Sequence, residues 1–223
     1  MRRRDFVGVS ALTLLAGCDR VLAFAERTNE HVERGLFRHT ARDVASGKFV
    51  TPLAAFPAYF ISDTVPMWDA ATQGPWRLEV SGMVAKPLTV TLAQLASLPA
   101  VTQRVNHYCV EGWTAVAVWS GVRLSTLAAL VEPHPEARYV DFQSFDNGYH
   151  ESWDLASALH PQTLIAYGMD GHWLGPSHGG PARVHSPVKL GYKNTKYLTK
   201  IVFLPQRNGG YWSDQGYEWY GGV

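Results

Sequence analysis

The sequence predicts a single α+β domain in which short helices are interspersed among many strands. Segments with alternating apolar and polar residues recur along the chain, and this pattern is typical of half-buried strands. The helical segments between them are short, start near Thr, Ser or Asp and stop before Pro. Strands and helices do not alternate regularly, so the sequence does not favour the all-parallel sheet of a βαβ protein.

The predicted strands are alternating or short apolar segments bounded by Gly, Pro or Asp. In chain order they are Trp76–Val84 with a turn at Gly82, Leu88–Val90, Val101–Tyr108, residues 122–124 as the end of another strand, Tyr139–Phe145, Thr163–Tyr167, Ala182–His185 and Tyr197–Phe203. Lys86-Pro87 separates the first two, and Asp170-Gly171 is a turn signal. The third strand delivers Cys109 to its end.

Each predicted helix follows a side chain that can accept a hydrogen bond from the first turn. The helices are Leu92–Leu98 after Thr91, Ser125–Val131 with Ser125 as its cap, and a helix to Leu159 that starts at Ser152 or Asp154. Pro99, Pro133 and Pro161 stand just beyond their ends, where proline cannot continue a helix.

The first residues have the pattern of an export leader. Residues 3–7 (RRDFV) resemble the twin-arginine signature, and the apolar stretch that comes next is shorter than the about 20 residues of a membrane-spanning helix. Residues 15–18 (LAGC) resemble a bacterial lipobox, whose cysteine is acylated; an ordinary leader cleaved after Ala23 or Ala25 is the alternative. We expect residues 1–25 to be a leader, and the mature protein to be periplasmic, with a lipid anchor if cleavage precedes Cys18. Twin-arginine export serves proteins that fold around a cofactor.

Length and composition fit one domain with a sizeable core. The chain has 223 residues and a formal net charge of +1, and about 190–200 residues remain after the leader. Residues 26–58, with a charged helical pattern at Glu26–Arg34 and Pro-containing connections, predict an N-terminal arm, and residues 59–223 predict the domain. Neither the charge nor any motif indicates a nucleic-acid partner.

Cys109 is the only cysteine outside the leader, in the segment QRVNHYCVEGWTAVAVWSGVRL of residues 103–124. In an exported, oxidising compartment an unpaired cysteine is either a small buried hydrophobe or a metal ligand. No CxxC pair or cluster of His and Cys accompanies it, so the sequence does not favour a zinc or iron–sulfur site. Cys109 is therefore a candidate thiolate ligand for a soft metal.

A glycine-rich, cationic segment lies downstream at residues 178–196, HGGPARVHSPVKLGYKNTK. Its paired glycines let the backbone approach a ligand closely, and Arg183 can engage a phosphate through its planar fork. Backbone N–H groups around Gly191, together with Lys193 and Lys196, can form a phosphate-binding nest. With the thiolate, this segment suggests a soft metal held on an anionic organic cofactor.

These motifs resemble the sulfite oxidase superfamily of molybdopterin-dependent oxidoreductases, through CVEGW followed by WxGxxL, HGGPAR and GxKxxK, over roughly Tyr59–Leu204. The resemblance implies a sulfite oxidase-type molybdopterin-binding domain with mixed sheets. It implies the cofactor Mo-molybdopterin, with Cys109 as the catalytic thiolate ligand to molybdenum. Superfamily sulfite oxidases append an immunoglobulin-like dimerisation domain for which this chain has no room, so we expect a monomer.

The resemblance also implies a set of cofactor-binding residues. They are His178 and Arg183 for the pterin; Gly191, Tyr192, Lys193 and Lys196 for the terminal phosphate; Phe60, Ser62, Asp63 and Thr64 in the first cofactor-contacting turn; and Ser144, which corresponds to a pterin-contacting hydroxyl residue of the reductase branch. The match around the first turn is poor.

The residues just after the cysteine indicate the branch of the superfamily. Sulfite oxidases carry CAGNRR, whose arginines bind the sulfite dianion, whereas this chain has Glu111 and Trp113. An acid and an aromatic favour a neutral, partly apolar substrate such as a sulfoxide, as in the catalytic subunits of periplasmic methionine sulfoxide reductases. Arg104 and His107 could restore positive charge, so sulfite oxidation remains an alternative, as does a non-catalytic binding protein with the same fold.

Two further expectations concern access and electrons. Tyr149 and His150 are candidates for a funnel that leads a small-molecule substrate to the metal, since histidine can deliver protons near neutral pH. Electrons must come one at a time from a separate carrier, for which a haem-containing membrane protein or a cytochrome is the natural candidate.

Overall fold

The computed structural model describes residue 21 and residues 24–36, 42–146 and 148–223. The twin-arginine stretch, the lipobox and Cys18 lie outside the described residues. The chain divides into two units, Met1–Arg38 and His39–Val223. In the first, residues 24–36 form a helix (α1), in which Glu30 and Arg34 form an i,i+4 ion pair of 2.6 Å. This confirms the predicted helical pattern.

The described part of the second unit contains ten strands and four short α-helices. The strands are β1 (Arg77–Gly82), β2 (Leu88–Thr91), β3 (Ala100–Tyr108), β4 (Thr114–Arg123), β5 (Tyr139–Ser144), β6 (His150–Asp154), β7 (Leu164–Met169), β8 (His172–Trp173), β9 (Arg183–His185) and β10 (Leu198–Leu204). The helices are α2 (Ala70–Gln73), α3 (Leu92–Ser97), α4 (Leu124–Val131) and α5 (Leu155–Ala158).

The strands form two sheets. The first has the order β2-β1-β10-β5-β6, and its β1–β10 pair is parallel while its other pairs are antiparallel. The second has the order β3-β4-β7-β8 with β9 also on β7, and is antiparallel throughout. The prediction of an α+β domain with mixed sheets is confirmed.

Local sequence accounts for two helix starts. Thr91 and Gln94 form a reciprocal capping box at the start of α3, with the Thr91 backbone N–H donating to Gln94 Oε1 over 2.9 Å. The Asp154 side chain accepts from the backbone of Ser157 over 2.9 Å and caps α5, as predicted.

The other predicted helix starts are wrong. Helix α4 begins after Arg123 with no capping side chain, so Ser125 lies inside the helix. Ser152 lies in β6, because it pairs with Asp141 of β5 and its hydroxyl donates to the Gly209 carbonyl over 2.5 Å. Strand β4 is also longer than the predicted strand end at residues 122–124, because its residues 114–122 pair with β3.

Apolar side chains are buried on both faces of the second sheet. Val122, Ile165 and Val184 join the main core, which lies against the first sheet and helices α3 and α4. Trp119 and Ala166 join a smaller cluster that also contains Phe56 from the segment before the first sheet. Because both of its faces are packed, the second sheet is held firmly in the domain. Cys109 directly follows its strand β3, and Arg183 is the first residue of its strand β9. No helix among the described residues is both long and apolar enough to cross a membrane.

Candidate active site

Cys109 begins the tight connection between β3 and β4. Its backbone N–H donates to the Trp113 carbonyl and its carbonyl accepts from the Gly112 N–H, each over 3.0 Å. Gly112 has φ = 88°, a left-handed conformation that favours glycine. The thiol is free and partly exposed. The hairpin therefore presents one thiol on a rigid, hydrogen-bonded turn.

A cavity of about 370 Å³ opens beside this thiol, within the usual size range of small-molecule sites. Eight of the residues predicted to bind the cofactor line it: Cys109, Phe60, Ser144, His178, Arg183, Gly191, Tyr192 and Lys196. Ser62, Asp63, Thr64 and Lys193 are not among its lining residues. The structure thus brings together residues from four separate stretches of the sequence.

Ser62 supports the cavity indirectly. Its hydroxyl and the Ile61 backbone N–H both donate to the carboxylate of Asp146, the latter over 3.1 Å, and Asp146 itself lines the cavity. This contact fastens the turn that places Phe60 in the wall. Asp63 and Thr64 are exposed, so the structure provides no cavity contact for them.

Arg183 is a buried cation in the cavity wall. It is 4% exposed, and its guanidinium donates to the carbonyls of His178 and Asn194, each over 3.0 Å, and lies 5.1 Å from the Trp119 ring centroid. Burial lowers its pKa from 12.5 to about 10, so it stays protonated at neutral pH. The backbone carbonyls orient the group without neutralising its charge.

Lys196 is the second cation of the wall. Its ammonium lies 5.6 Å from the Phe60 ring centroid and 5.0 Å from that of Tyr197. Burial, and then the charge of Arg183, lower its pKa from 10.5 to about 7. Gly179 makes room for this side chain: with φ = 100°, a Cβ there would lie 2.8 Å from Lys196 Cβ.

Neither cation belongs to an ion pair among the described residues. A buried charge without a partner is costly, so such groups are usually paired or bind a ligand. The buried Arg183 and the partly buried Lys196 in one cavity wall make a site for an anionic ligand, and the thiol in the same lining adds a metal-binding group. Burial raises the pKa of the Cys109 thiol, so a metal would be needed to hold it as thiolate at neutral pH.

Lys193 has a different environment from the one predicted. Its ammonium lies 2.5 Å from Glu151 Oε2, and both side chains are fully buried. Of the two lysines predicted to bind the phosphate, only Lys196 therefore lines the cavity. Lys193 instead stabilises the loop through its buried ion pair with Glu151.

The two groups that could have restored positive charge near Cys109 do not do so. Arg104 donates to the carbonyls of Ala45, Ser46 and Phe49 in the preceding segment. His107 lines the cavity, but burial lowers its pKa to about 3, so the ring is neutral at ordinary pH. The sequence expectation that these residues compensate for the missing arginines is wrong.

Glu111 is the charged group next to the thiol. Its Oε2 accepts hydrogen bonds from Tyr59 over 3.0 Å and from the Trp113 indole over 2.9 Å, and lies 3.8 Å from Cys109 Sγ. These two donors lower the pKa of the Glu111 carboxyl. The cavity beside the thiol therefore carries an anion framed by two aromatic rings.

Of the two residues predicted to form the substrate funnel, Tyr149 and His150, only one lies at the cavity. Tyr149 lines the cavity, and its hydroxyl donates to the Tyr192 carbonyl over 2.5 Å. His150 is not a lining residue, and its ring pairs with Asp141 over 2.9 Å. Tyr149 lies just before β6 and His150 is its first residue, and only Tyr149 contributes to the cavity lining.

Five aromatic lining residues were not predicted from the sequence: Phe56, Tyr59, Tyr197, Trp212 and Tyr217. Trp212 and Tyr217 come from the C-terminal segment, in which the later aromatics Trp219 and Tyr220 are buried. No spacing signal in the sequence links residues 212 and 217 to Cys109.

Known proteins resemble this chain over most of its length. Residues 64–212 match the family described as oxidoreductase molybdopterin binding domain. A protein of Azospira oryzae with the provisional name protein-methionine-sulfoxide reductase subunit YedZ1 is 40% identical over 223 residues, 96% of this chain and 84% of that protein. The protein-methionine-sulfoxide reductase catalytic subunit MsrP of Gluconobacter oxydans is 32% identical over 69% of this chain and 56% of its own. The chain thus spans about half the length of that subunit.

A solved structure shares the fold. The sulfane dehydrogenase SoxCD from Paracoccus pantotrophus superposes with a TM-score of 0.59, at 19% identity, over 78% of this chain and 53% of the SoxCD chain. At this level of identity the likeness concerns architecture alone.

Proposed function

Because the chain belongs to the oxidoreductase molybdopterin binding domain family of the sulfite oxidase superfamily, we propose that it reduces a sulfoxide-type substrate at a molybdenum centre bound by Cys109. Family membership makes it a molybdopterin-dependent oxidoreductase rather than a non-catalytic binding protein. The names of its relatives support a sulfoxide as the substrate.

One observation carries the assignment of the site: the buried Arg183 and the partly buried Lys196 line the same cavity as the free thiol of Cys109. Neither cation has a carboxylate partner among the residues that the structure describes. An anionic cofactor would supply the missing negative charge. Among the described residues, no group of three or more His, Cys, Asp and Glu side chains could hold a metal ion, so the further donors to a metal beside Cys109 would belong to the cofactor itself. The residues present therefore fit molybdopterin.

When bound, this cofactor supplies a metal that exchanges an oxygen atom and two electrons with the substrate. The protein would hold it through Cys109 on the metal side and through Arg183 and Lys196 on its anionic part. The turn at Gly112 fixes the direction of the thiol, and the His178 carbonyl fixes that of the guanidinium. These groups are positioned in advance, which lowers the cost of binding.

The charge around Cys109 supports a neutral substrate over sulfite. The Glu111 carboxylate lies 3.8 Å from the thiol, and His107 is neutral. A carboxylate repels a dianion at this distance, whereas a sulfoxide carries no net charge. Its reduction breaks the S–O bond, consumes two electrons and two protons, and releases a thioether and water.

We also propose a periplasmic location, which rests on the leader pattern of residues 1–25. Acylation at Cys18 would hold the enzyme near a membrane haem protein able to deliver electrons. Mass spectrometry of the mature N-terminus tests this: a diacylglyceryl-modified Cys18 supports the anchor, and an unmodified terminus after Ala23 or Ala25 contradicts it.

Two assays of the exported, metal-loaded protein test the substrate assignment. We expect methionine sulfoxide to be reduced with a reduced viologen dye as electron donor, and sulfite to reduce no cytochrome acceptor. The Cys109→Ser variant should fold with the same thermal midpoint and lose turnover. Sulfite oxidation without sulfoxide reduction would reverse the assignment, and full activity of the variant would exclude Cys109 as the ligand.

A further inference from the structure

The C-terminal segment forms one wall of the cavity. Trp212 and Tyr217 both line it, and their ring centroids lie 5.0 Å apart. The Tyr217 ring also meets that of Tyr192, a lining residue of the cationic loop, edge-on at 5.4 Å. Three aromatic rings are thus in contact with one another along the cavity.

This wall is fixed to the domain from behind. The carboxylate of the fully buried Glu151 accepts from the Trp212 backbone N–H over 3.1 Å and from the Ser213 hydroxyl over 3.2 Å. A Cβ on Gly210 would overlap that carboxylate, so only glycine lets the chain pass this close. The Tyr192 hydroxyl donates to the Glu218 carbonyl. The rings are therefore held in place rather than lying loosely on the surface.

Two further rings lie in the lining next to the thiol. Tyr59 and Trp113 stack at 6.3 Å, and both donate to Glu111. Aromatic faces bind apolar substituents by excluding water and make favourable contacts with sulfur. A substrate with only methyl groups on its sulfur would leave most of this surface uncovered.

On the basis of the proposed function, we infer that Trp212 and Tyr217 determine substrate specificity: they select sulfoxides that carry a bulky apolar or aryl substituent over small dialkyl sulfoxides. The substituent lies against the aromatic wall while the S–O group faces the Cys109 side of the cavity. The two residues do not take part in the chemistry.

The test compares methyl phenyl sulfoxide with dimethyl sulfoxide in the loaded enzyme, with a reduced viologen dye as donor. Trp212→Ala and Tyr217→Ala should each lower the ratio of the two kcat/KM values by about tenfold, the scale of a lost hydrophobic contact in a specificity pocket. The molybdenum content should change less than about twofold, so that loss of cofactor does not account for the change in the ratio. Trp173→Ala is the matched control, because Trp173 is 66% exposed and does not line the cavity.

Calorimetry with the thioether product, methyl phenyl sulfide, gives a readout that needs no turnover. Its Kd should rise by about the same factor in the two wall variants and stay unchanged in Trp173→Ala. An unchanged Kd and an unchanged selectivity ratio in Tyr217→Ala, whose ring is 40% exposed, would overturn the inference. If the wild-type enzyme binds the sulfide at the wall but reduces no sulfoxide, the proposed function fails and the wall assignment stands.

Discussion

The ammonium of Lys193 lies 2.5 Å from the carboxylate of Glu151, and both side chains are excluded from solvent. Three residues further along the same loop, Lys196 lines the cavity and forms no ion pair with any residue that the structure describes. One short basic run therefore contains a structural lysine and a ligand-binding lysine. The same Glu151 fastens the backbone of Trp212, so the ion pair supports both the cationic loop and the aromatic wall.

Lys193→Met should lower the free energy of unfolding by about 3–5 kcal/mol, because it leaves the charge of Glu151 buried and unpaired. The Lys193→Met/Glu151→Gln double variant should recover more than half of this loss, since glutamine keeps an acceptor for the Trp212 N–H without the charge. Chemical denaturation of wild type, the two single variants Lys193→Met and Glu151→Gln, and the double variant measures both effects. A double variant no more stable than Lys193→Met would contradict the pairing.

Lys196→Met should have the opposite effects: a small change in the free energy of unfolding and a large loss of bound cofactor. Removal of this partly buried cation, which has no ion-pair partner among the described residues, should leave the cofactor-free protein equally stable or stabilise it by about 1 kcal/mol. Pterin retained after gel filtration should fall well below that of the folded fraction of Lys193→Met. Equal pterin retention in both variants would show that the loop lysines do not differ.

The lowered pKa of Lys196 predicts a pH dependence of the cofactor-free protein. Between about 7, the pKa in the folded state, and 10.5, its ordinary value, the unfolded chain holds a proton that the folded protein has released. The free energy of unfolding contributed by this group therefore rises with pH across that window. The difference between wild type and Lys196→Met in denaturation midpoints from pH 6 to 10 isolates it, and a difference that does not change with pH would refute the shift.

His150 and Asp141 predict the opposite slope. The hydrogen bond to Asp141 raises the pKa of His150 above its ordinary 6.5. The resulting stabilisation is fully present below pH 6.5 and is lost as the pH rises through the raised pKa. Asp141→Asn should cost about 1 kcal/mol at pH 6 and less at pH 9. The same cost at both pH values would mean that the contact does not depend on the protonation of His150.

The residues that could be predicted from sequence lie in continuous motifs. Cys109 comes after a strand whose period is clear, and Arg183 and Lys196 stand in glycine-rich runs of unusual composition. Strand β3 and the capped helix α3 could also be predicted from local pattern, because alternation and a capping box are properties of neighbouring residues.

The aromatic wall could not be predicted, because it depends on contacts between distant parts of the chain. The bridge between Glu151 and Gly210 brings the C-terminal segment to β6, and nothing near Gly210 in the sequence indicates that partner. Strand β6 could not be predicted either. Its residues 151–154 are all buried, so its sequence lacks the alternation of apolar and polar residues that marks a half-buried strand. In addition, Ser152 and Asp154 are residue types that commonly start helices.

The most direct test of the whole account is the molybdenum and pterin content of the folded protein purified after export. Since Cys109, Arg183 and Lys196 form a single site for one cofactor, the expected result is about one molybdenum and one pterin per chain, with both reduced in Lys196→Met. Folded, exported protein that contains neither molybdenum nor pterin would contradict the assignment.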